Sequence, residues 1–185
     1  MYRLCAIAII AASVAGVFAP AAADQNDPRL DELFAGLKAT GNAREAHEIE
    51  QMIWFIWARS PSAGANLMLR QGIQYMNEGK HEAAQANFDA VVELAPEFAE
   101  GWNKRATVRY LMGDYEGSIE DIKRTLALEE RHFGALSGLG LIYDSLNEKK
   151  AAIEAFRAAL EINPHMESIS ARLKELVEEV EGVEL

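Results

Sequence analysis

Cysteine is nearly absent from this chain, since Cys5 is the only one in 185 residues. It lies inside an apolar run with Tyr2-Arg3-Leu4 before it, which is not the pattern of a lipid-attachment box. Charge is absent from the first 23 residues apart from Arg3, and Ala21-Ala22-Ala23 follow an apolar run from Leu4 to Phe18. That order of features predicts a signal peptide over 1–23, a mature chain from Asp24 and a bacterial periplasmic or secreted protein. An uncleaved anchor is the alternative, because the apolar run is near the lower limit for crossing a bilayer. Removal of the leader would remove the only thiol. Disulfides and thiolate catalysis are then excluded, and the remaining chain of about 160 residues must be held by one continuous apolar core.

Positive charge is also scarce: 18 lysines and arginines stand against 29 acidic residues, a net charge of −11. No basic cluster is present, which disfavours nucleic acid and anionic lipid headgroups: no nucleic-acid partner is expected, and no membrane insertion after leader cleavage. Catalytic signatures are missing as well. His47-Glu48 and His81-Glu82 begin like a zinc-protease helix, but Gln51 and Gln85 stand where the second histidine ligand must be. Gly138-Leu139-Gly140 lacks the third glycine of a dinucleotide loop, and no Gly-x-Ser-x-Gly turn occurs. We find no catalytic residue, no metal ligand set and no cofactor motif.

Repetition is what the chain has instead. A shift of 34 residues aligns Gly72, Ala106 and Gly140; Tyr75, Arg109 and Tyr143; Gly79, Gly113 and Asn147; and Ala84, Ser118 and Ala152. Phe88, Ile122 and Phe156 share a further column, as do Pro96, Glu130 and Pro164. Apolar periodicity predicts paired helices near 62–78 and 81–94, 98–112 and 115–128, and 132–146 and 149–162. Gly79, Gly113 and Asn147 fall just past the first helix of each pair, where a left-handed residue ends a helix. Asp27-Pro28 and Ser60-Pro61 both read as an N-cap followed by proline in the first turn.

A 34-residue period with these small, aromatic and proline columns resembles the tetratricopeptide repeat, a helix-turn-helix unit that stacks into a solenoid. The resemblance implies an all-α, right-handed α-solenoid of three helix pairs, 62–97, 98–131 and 132–165, within a single domain over 24–185. Residues 27–61 read as a degenerate N-terminal pair, and 166–182 as a capping helix with the stripe Ile169, Leu173, Leu176, Val177 and Val180. Arg109 stands where an aromatic is expected and Glu130 where proline is expected.

Two columns change character together. Gln71, Arg105 and Leu139 share one, and Asn87, Asp121 and Ala155 share another sixteen residues on. Amide faces amide, cation faces anion and apolar faces apolar, which predicts a partly buried structural ion pair between Arg105 and Asp121. The run Ile53-Trp54-Phe55-Ile56-Trp57 is apolar all round and needs cover, expected from the 62–78 helix and the first repeat, with an exposed aromatic patch as the alternative.

In the resembling family the first helices of the pairs line a concave wall that binds proteins or peptides. Here the lining would be Asn66, Leu69, Arg70, Ile73 and Met76, then Asn103, Lys104, Thr107 and Tyr110, then Ser137, Gly138, Leu141 and Asp144. Arg70, Asn103 and Lys104 could clamp a peptide carboxylate, although Gly138 withholds a long side chain from the third repeat. The expected function is a non-catalytic adaptor or scaffold of the cell envelope. The alternative is a structural homo-oligomer, possible as a dimer, joined through the 53–57 helix and the C-terminal helix.

Overall fold

The structure is a computed structural model that describes residues 24–182, so the leader and Cys5 lie outside the described residues. Nine helices are found among those residues. They are α1 (Arg29–Ala39), α2 (Ala43–Trp57), α3 (Ala63–Asn77), α4 (His81–Leu94), α5 (Ala99–Leu111), α6 (Tyr115–Leu128), α7 (Phe133–Ser145), α8 (Lys149–Ile162) and α9 (Glu167–Glu181). The pairs α3–α4, α5–α6 and α7–α8 are the three repeats, and each packs on the next.

The same turn joins the two helices of every repeat. Gly79, Gly113 and Asn147 have φ of 71°, 80° and 60°. One residue later, Lys80, Asp114 and Glu148 donate their backbone N–H to the carbonyls of Tyr75, Arg109 and Tyr143 at 2.9, 2.9 and 2.8 Å. This is the Schellman closure, in which a left-handed residue lets the chain reverse while the last helical carbonyls stay bonded. N-caps supply the opposite ends: Asn42 accepts from Arg44 and Glu45, Ser62 from Ala65, Asp114 from Gly117 and His132 from Ala135. The first predicted proline cap holds, because Asp27 accepts from the N–H of Arg29. The second is displaced. Ser62, not Ser60, caps α3, while Ser60 is buried and turns the chain into it by accepting from the N–H of Ser62.

Within a repeat the packing follows a size rule. A Cβ built on Gly72 would lie 2.5 Å from the Phe88 ring, and one on Gly140 would overlap the Phe156 ring. Both rings are fully buried. In the second repeat the column holds Ala106, and its partner is the smaller Ile122. The small column thus faces the aromatic column, in addition to the contact with Ser118, whose hydroxyl donates to the carbonyl of Ala106 at 2.7 Å. Trp102 lies outside this contact, with its N–H on the carbonyl of Pro96 and its ring beneath the Arg105 guanidinium.

The second repeat is instead held by charge. Arg105 donates to both oxygens of Asp121 at 2.9 and 2.7 Å and to Asp89 at 2.9 Å, and Asp121 is 2% exposed. Arg109 reaches the same carboxylate at 3.1 Å and the carbonyl of Gly117 at 3.0 Å. A guanidinium therefore takes the place of the aromatic ring found in the flanking repeats. In the first repeat Asn87 donates to its own helix at Ala83, so no amide pair with Gln71 forms.

Helix α9 closes the last repeat. Ile169 and Leu176 are buried against Ala152, Ile153 and Phe156, and Arg172 grips both oxygens of Asp144 at 2.7 and 2.8 Å. The N-terminal pair behaves differently from a further repeat stacked on α3. It lies as a strap across the turns that join one repeat to the next. Gln25 bonds Glu97 and Ala99 at the first turn, Asp31 and Phe34 meet Arg131 at the second, and His165 donates to the carbonyl of Leu37 at the third. On the return, Asn163 donates to Glu50, and Trp54 and Trp57 pack on His132 and Phe133. Asp31 and Leu37 are six residues apart on α1, an advance of about 9 Å and close to the 8–10 Å between packed neighbouring helices, so α1 spans from the second turn to the third, while Gln25, just before the helix, reaches the first. The cover for Ile53, Ile56 and Trp57 consequently comes from α1 and the third repeat, not from 62–78 and the first repeat, while Phe55 stays 49% exposed.

Candidate functional site

The first helices of the repeats, α3, α5 and α7, are adjacent and form one wall. A cleft of about 200 Å³ opens between α5 and α7, lined by Asn103, Thr107, Tyr110, Ser137, Gly138 and Leu141 over a floor of Ala106, Ile122 and Ile142. The expected lining residues of the second and third repeats are thus brought together, apart from Lys104 and Asp144. Its surface is mixed. Leu141 is 37% exposed. Tyr110 shares a 3.3 Å hydrogen bond with Ser145, while Thr107 and Ser137 donate to the carbonyls of Asn103 and Gly134 and keep acceptor capacity toward the cleft.

The first repeat contributes less than expected. Leu69 is 2% exposed and belongs to a core with Ala65, Ala84 and Phe88, because 65, 69 and 72 form one stripe that faces α4. Ile73 and Met76 are half-buried against that core. Asn66 and Arg70 line a separate cleft beside the end of α2.

The expected carboxylate clamp is already engaged. Glu100 is 2% exposed, and its carboxylate accepts from Asn103 at 2.8 Å, pairs with Lys104 at 3.0 Å and meets His132 Nε2 at 3.1 Å. His132 is fully buried and stacks on Trp57 with ring centroids 4.2 Å apart. Its Nδ1 accepts from the N–H of Ala135, so the ring proton sits on Nε2 and is donated to Glu100. Burial alone would push the Glu100 carboxyl up, but Lys104 and His132 outweigh it and hold it down to about 2. Lys104 also lies 5.5 Å from the Trp54 ring centroid. Two of the three proposed clamp donors are therefore spent on a carboxylate of the chain itself. Asp144 is spent likewise, on Arg172.

Glu100, His132 and Trp54 were not anticipated as neighbours. A signal existed in the repeat columns. Position 133 is phenylalanine where Ala65 and Ala99 stand in the other repeats, and position 134 is glycine where Asn66 and Glu100 stand. Gly134 is where the Trp54 ring rests, with a built Cβ only 2.6 Å from it.

Comparison with known proteins gives the same assignment as the repeat columns. Tetratricopeptide-repeat family profiles match residues 69–120 and 134–166. A TPR repeat-containing protein of Rhizobium etli is 34% identical over 154 residues, covering 83% of this chain and 76% of that protein. The chain belongs to the tetratricopeptide repeat family. Among solved structures, the first TPR domain of Spaghetti (RPAP3) bound to the HSP90 peptide SRMEEVD superposes with a TM-score of 0.63 at 18% identity, covering 65% of this chain and 96% of that one. MamA does so with a TM-score of 0.60 at 21% identity, covering 85% and 84%. At these identities the likeness is one of fold: an all-α helical repeat.

Proposed function

We propose that this tetratricopeptide-repeat protein is a non-catalytic adaptor that holds a peptide or an extended segment of a partner protein in the cleft between α5 and α7. The observation that carries the reading is the wall of Asn103, Thr107, Tyr110, Ser137, Gly138 and Leu141, which mixes an exposed leucine with hydroxyl groups on rigid helices. Such a surface suits side chains and backbone of a short peptide together. The Spaghetti domain supports the reading, since a domain of the same fold is bound to a peptide.

The pattern of residues 1–23 supports a place outside the cytoplasm, in the bacterial envelope, and fractionation of cells expressing the full chain tests it. The oligomer reading has less support. Ile53, Ile56 and Trp57 are spent inside the chain, and Leu176 is spent against the third repeat. Peptides selected from a displayed library on the purified protein should lose binding to Leu141→Arg and Thr107→Arg variants that melt at the unaltered temperature. Undiminished binding to both variants would defeat the adaptor reading.

A further inference from the structure

A second surface differs from the cleft in charge. Among the described residues, seven arginines hold a carboxylate at ion-pair distance: Arg29, Arg44, Arg105, Arg109, Arg124, Arg131 and Arg172. Arg59, Arg70 and Arg157 are in none of the ion pairs found there, and two of these three share one cleft. It measures about 440 Å³ and is lined by Phe55, Ala58, Arg59, Ser60, Asn66 and Arg70.

The cleft is built, since its floor is fixed by Asn66, whose amide accepts from the N–H of Ser60 at 2.8 Å and donates to the carbonyl of Ser60 at 2.7 Å. That pair of hydrogen bonds ties α3 to the end of the strap. The Arg59 guanidinium stands 3.9 Å over the Phe55 ring, which is still 49% exposed. An exposed aromatic and two guanidiniums without carboxylates, on a protein of net charge −11, form a local inversion of the surface. Guanidiniums bind carboxylates in a fork geometry, and an apolar side chain can rest on the open part of the ring.

We propose that this cleft docks an acidic peptide segment of a protein partner, with carboxylates on Arg59 and Arg70 and an apolar side chain on Phe55. A long polyanion such as nucleic acid or an anionic bilayer fits less well, because it would continue onto the acidic remainder of the surface. Phe55 and Arg59 come from the strap, so the repeats alone do not make this site. Arg70 stands on α3, the first-repeat helix of the wall, so the cleft neighbours the proposed peptide groove while remaining separate from it. The inference rests on that reading for its choice of a peptide, but the two sites are tested with different variants.

The test uses labelled peptides of about ten residues, blocked at both ends, read by fluorescence anisotropy on the purified protein. One carries alternating glutamate and leucine, and a control carries lysine for glutamate. The acidic peptide should bind, and should weaken at least about tenfold in Arg59→Gln with Arg70→Gln and several-fold as salt rises from about 0.05 to about 0.5 M. Phe55→Ser should weaken it in addition, Arg157→Gln should leave it unchanged, and Leu141→Arg should spare it while abolishing library-selected groove peptides. Unaltered affinity in the double variant, equal binding of the lysine peptide, or tighter binding of a single-stranded oligonucleotide or phosphatidylglycerol vesicle would overturn the proposal. Dichroism of each variant establishes that it is folded.

Discussion

Replacing Gly72 by alanine places a methyl group 2.5 Å from Cε1 of Phe88 and within 3 Å of two further ring atoms. The ring is fully buried and has no solvent to swing into. Two effects oppose each other. Alanine favours a helix interior over glycine by about 1 kcal/mol, whereas overpacking a tight core costs about 1–3 kcal/mol. The net effect is a loss of about 1 kcal/mol. Replacing Phe88 by isoleucine alone leaves space beside Gly72 and costs about 1–3 kcal/mol. In the double variant the pair becomes that of the second repeat, Ala106 beside Ile122, and the methyl fits. Its effect should reverse to a gain of about 1 kcal/mol, giving a coupling of about 2 kcal/mol in a double-mutant cycle by urea denaturation. If the methyl has the same effect beside phenylalanine and beside isoleucine, within about 0.5 kcal/mol, the size rule for the two columns is wrong.

Three further outcomes follow from the charged and aromatic contacts. Asp121→Ala should cost more than Arg105→Leu, toward 5 and 3 kcal/mol of a range of about 3–5, because Arg109 still serves Asp121 when Arg105 is gone; equal or negligible losses in denaturant titration would refute the shared carboxylate. Glu100 is held near 2 against an ordinary 4.5, so the native state binds fewer protons and the contribution is present above about pH 4.5. It should fall by on the order of 3 kcal/mol as pH drops toward 2, and Glu100→Gln should remove that part of the acid limb; an unaltered limb in the variant would contradict the network. Trp57→Ala should cost about 3–5 kcal/mol and change the environment of His132, seen by NMR of its ring; a loss below about 1 kcal/mol would mean that the strap is not anchored there.

Much of the architecture was legible because each repeat is a local device. The left-handed turn residues Gly79, Gly113 and Asn147 are spaced by the period, and each helix boundary lies within one or two residues of where the apolar pattern puts it. The Arg105 and Asp121 contact was legible because three copies of one unit allow columns to be compared within a single chain. The position of the strap was not, since the need to cover Trp57 says nothing about which surface covers it. That contact joins residues about 75 apart in sequence, and the departures at Phe133 and Gly134 acquire meaning only once the fold brings Trp54 to them. The wall was legible in its second and third repeats. It was misread at Leu69, where one position along the helix separates core from groove, and at Lys104, whose charge is claimed by a buried glutamate of its own helix.

Amide chemical-shift mapping with a library-selected peptide on the purified protein tests the central claim most directly. Docking in the groove predicts shifts concentrated at Asn103, Thr107, Tyr110, Gly138 and Leu141. Shifts confined to the outer helices α4, α6 and α8, with these five residues unmoved, would contradict it.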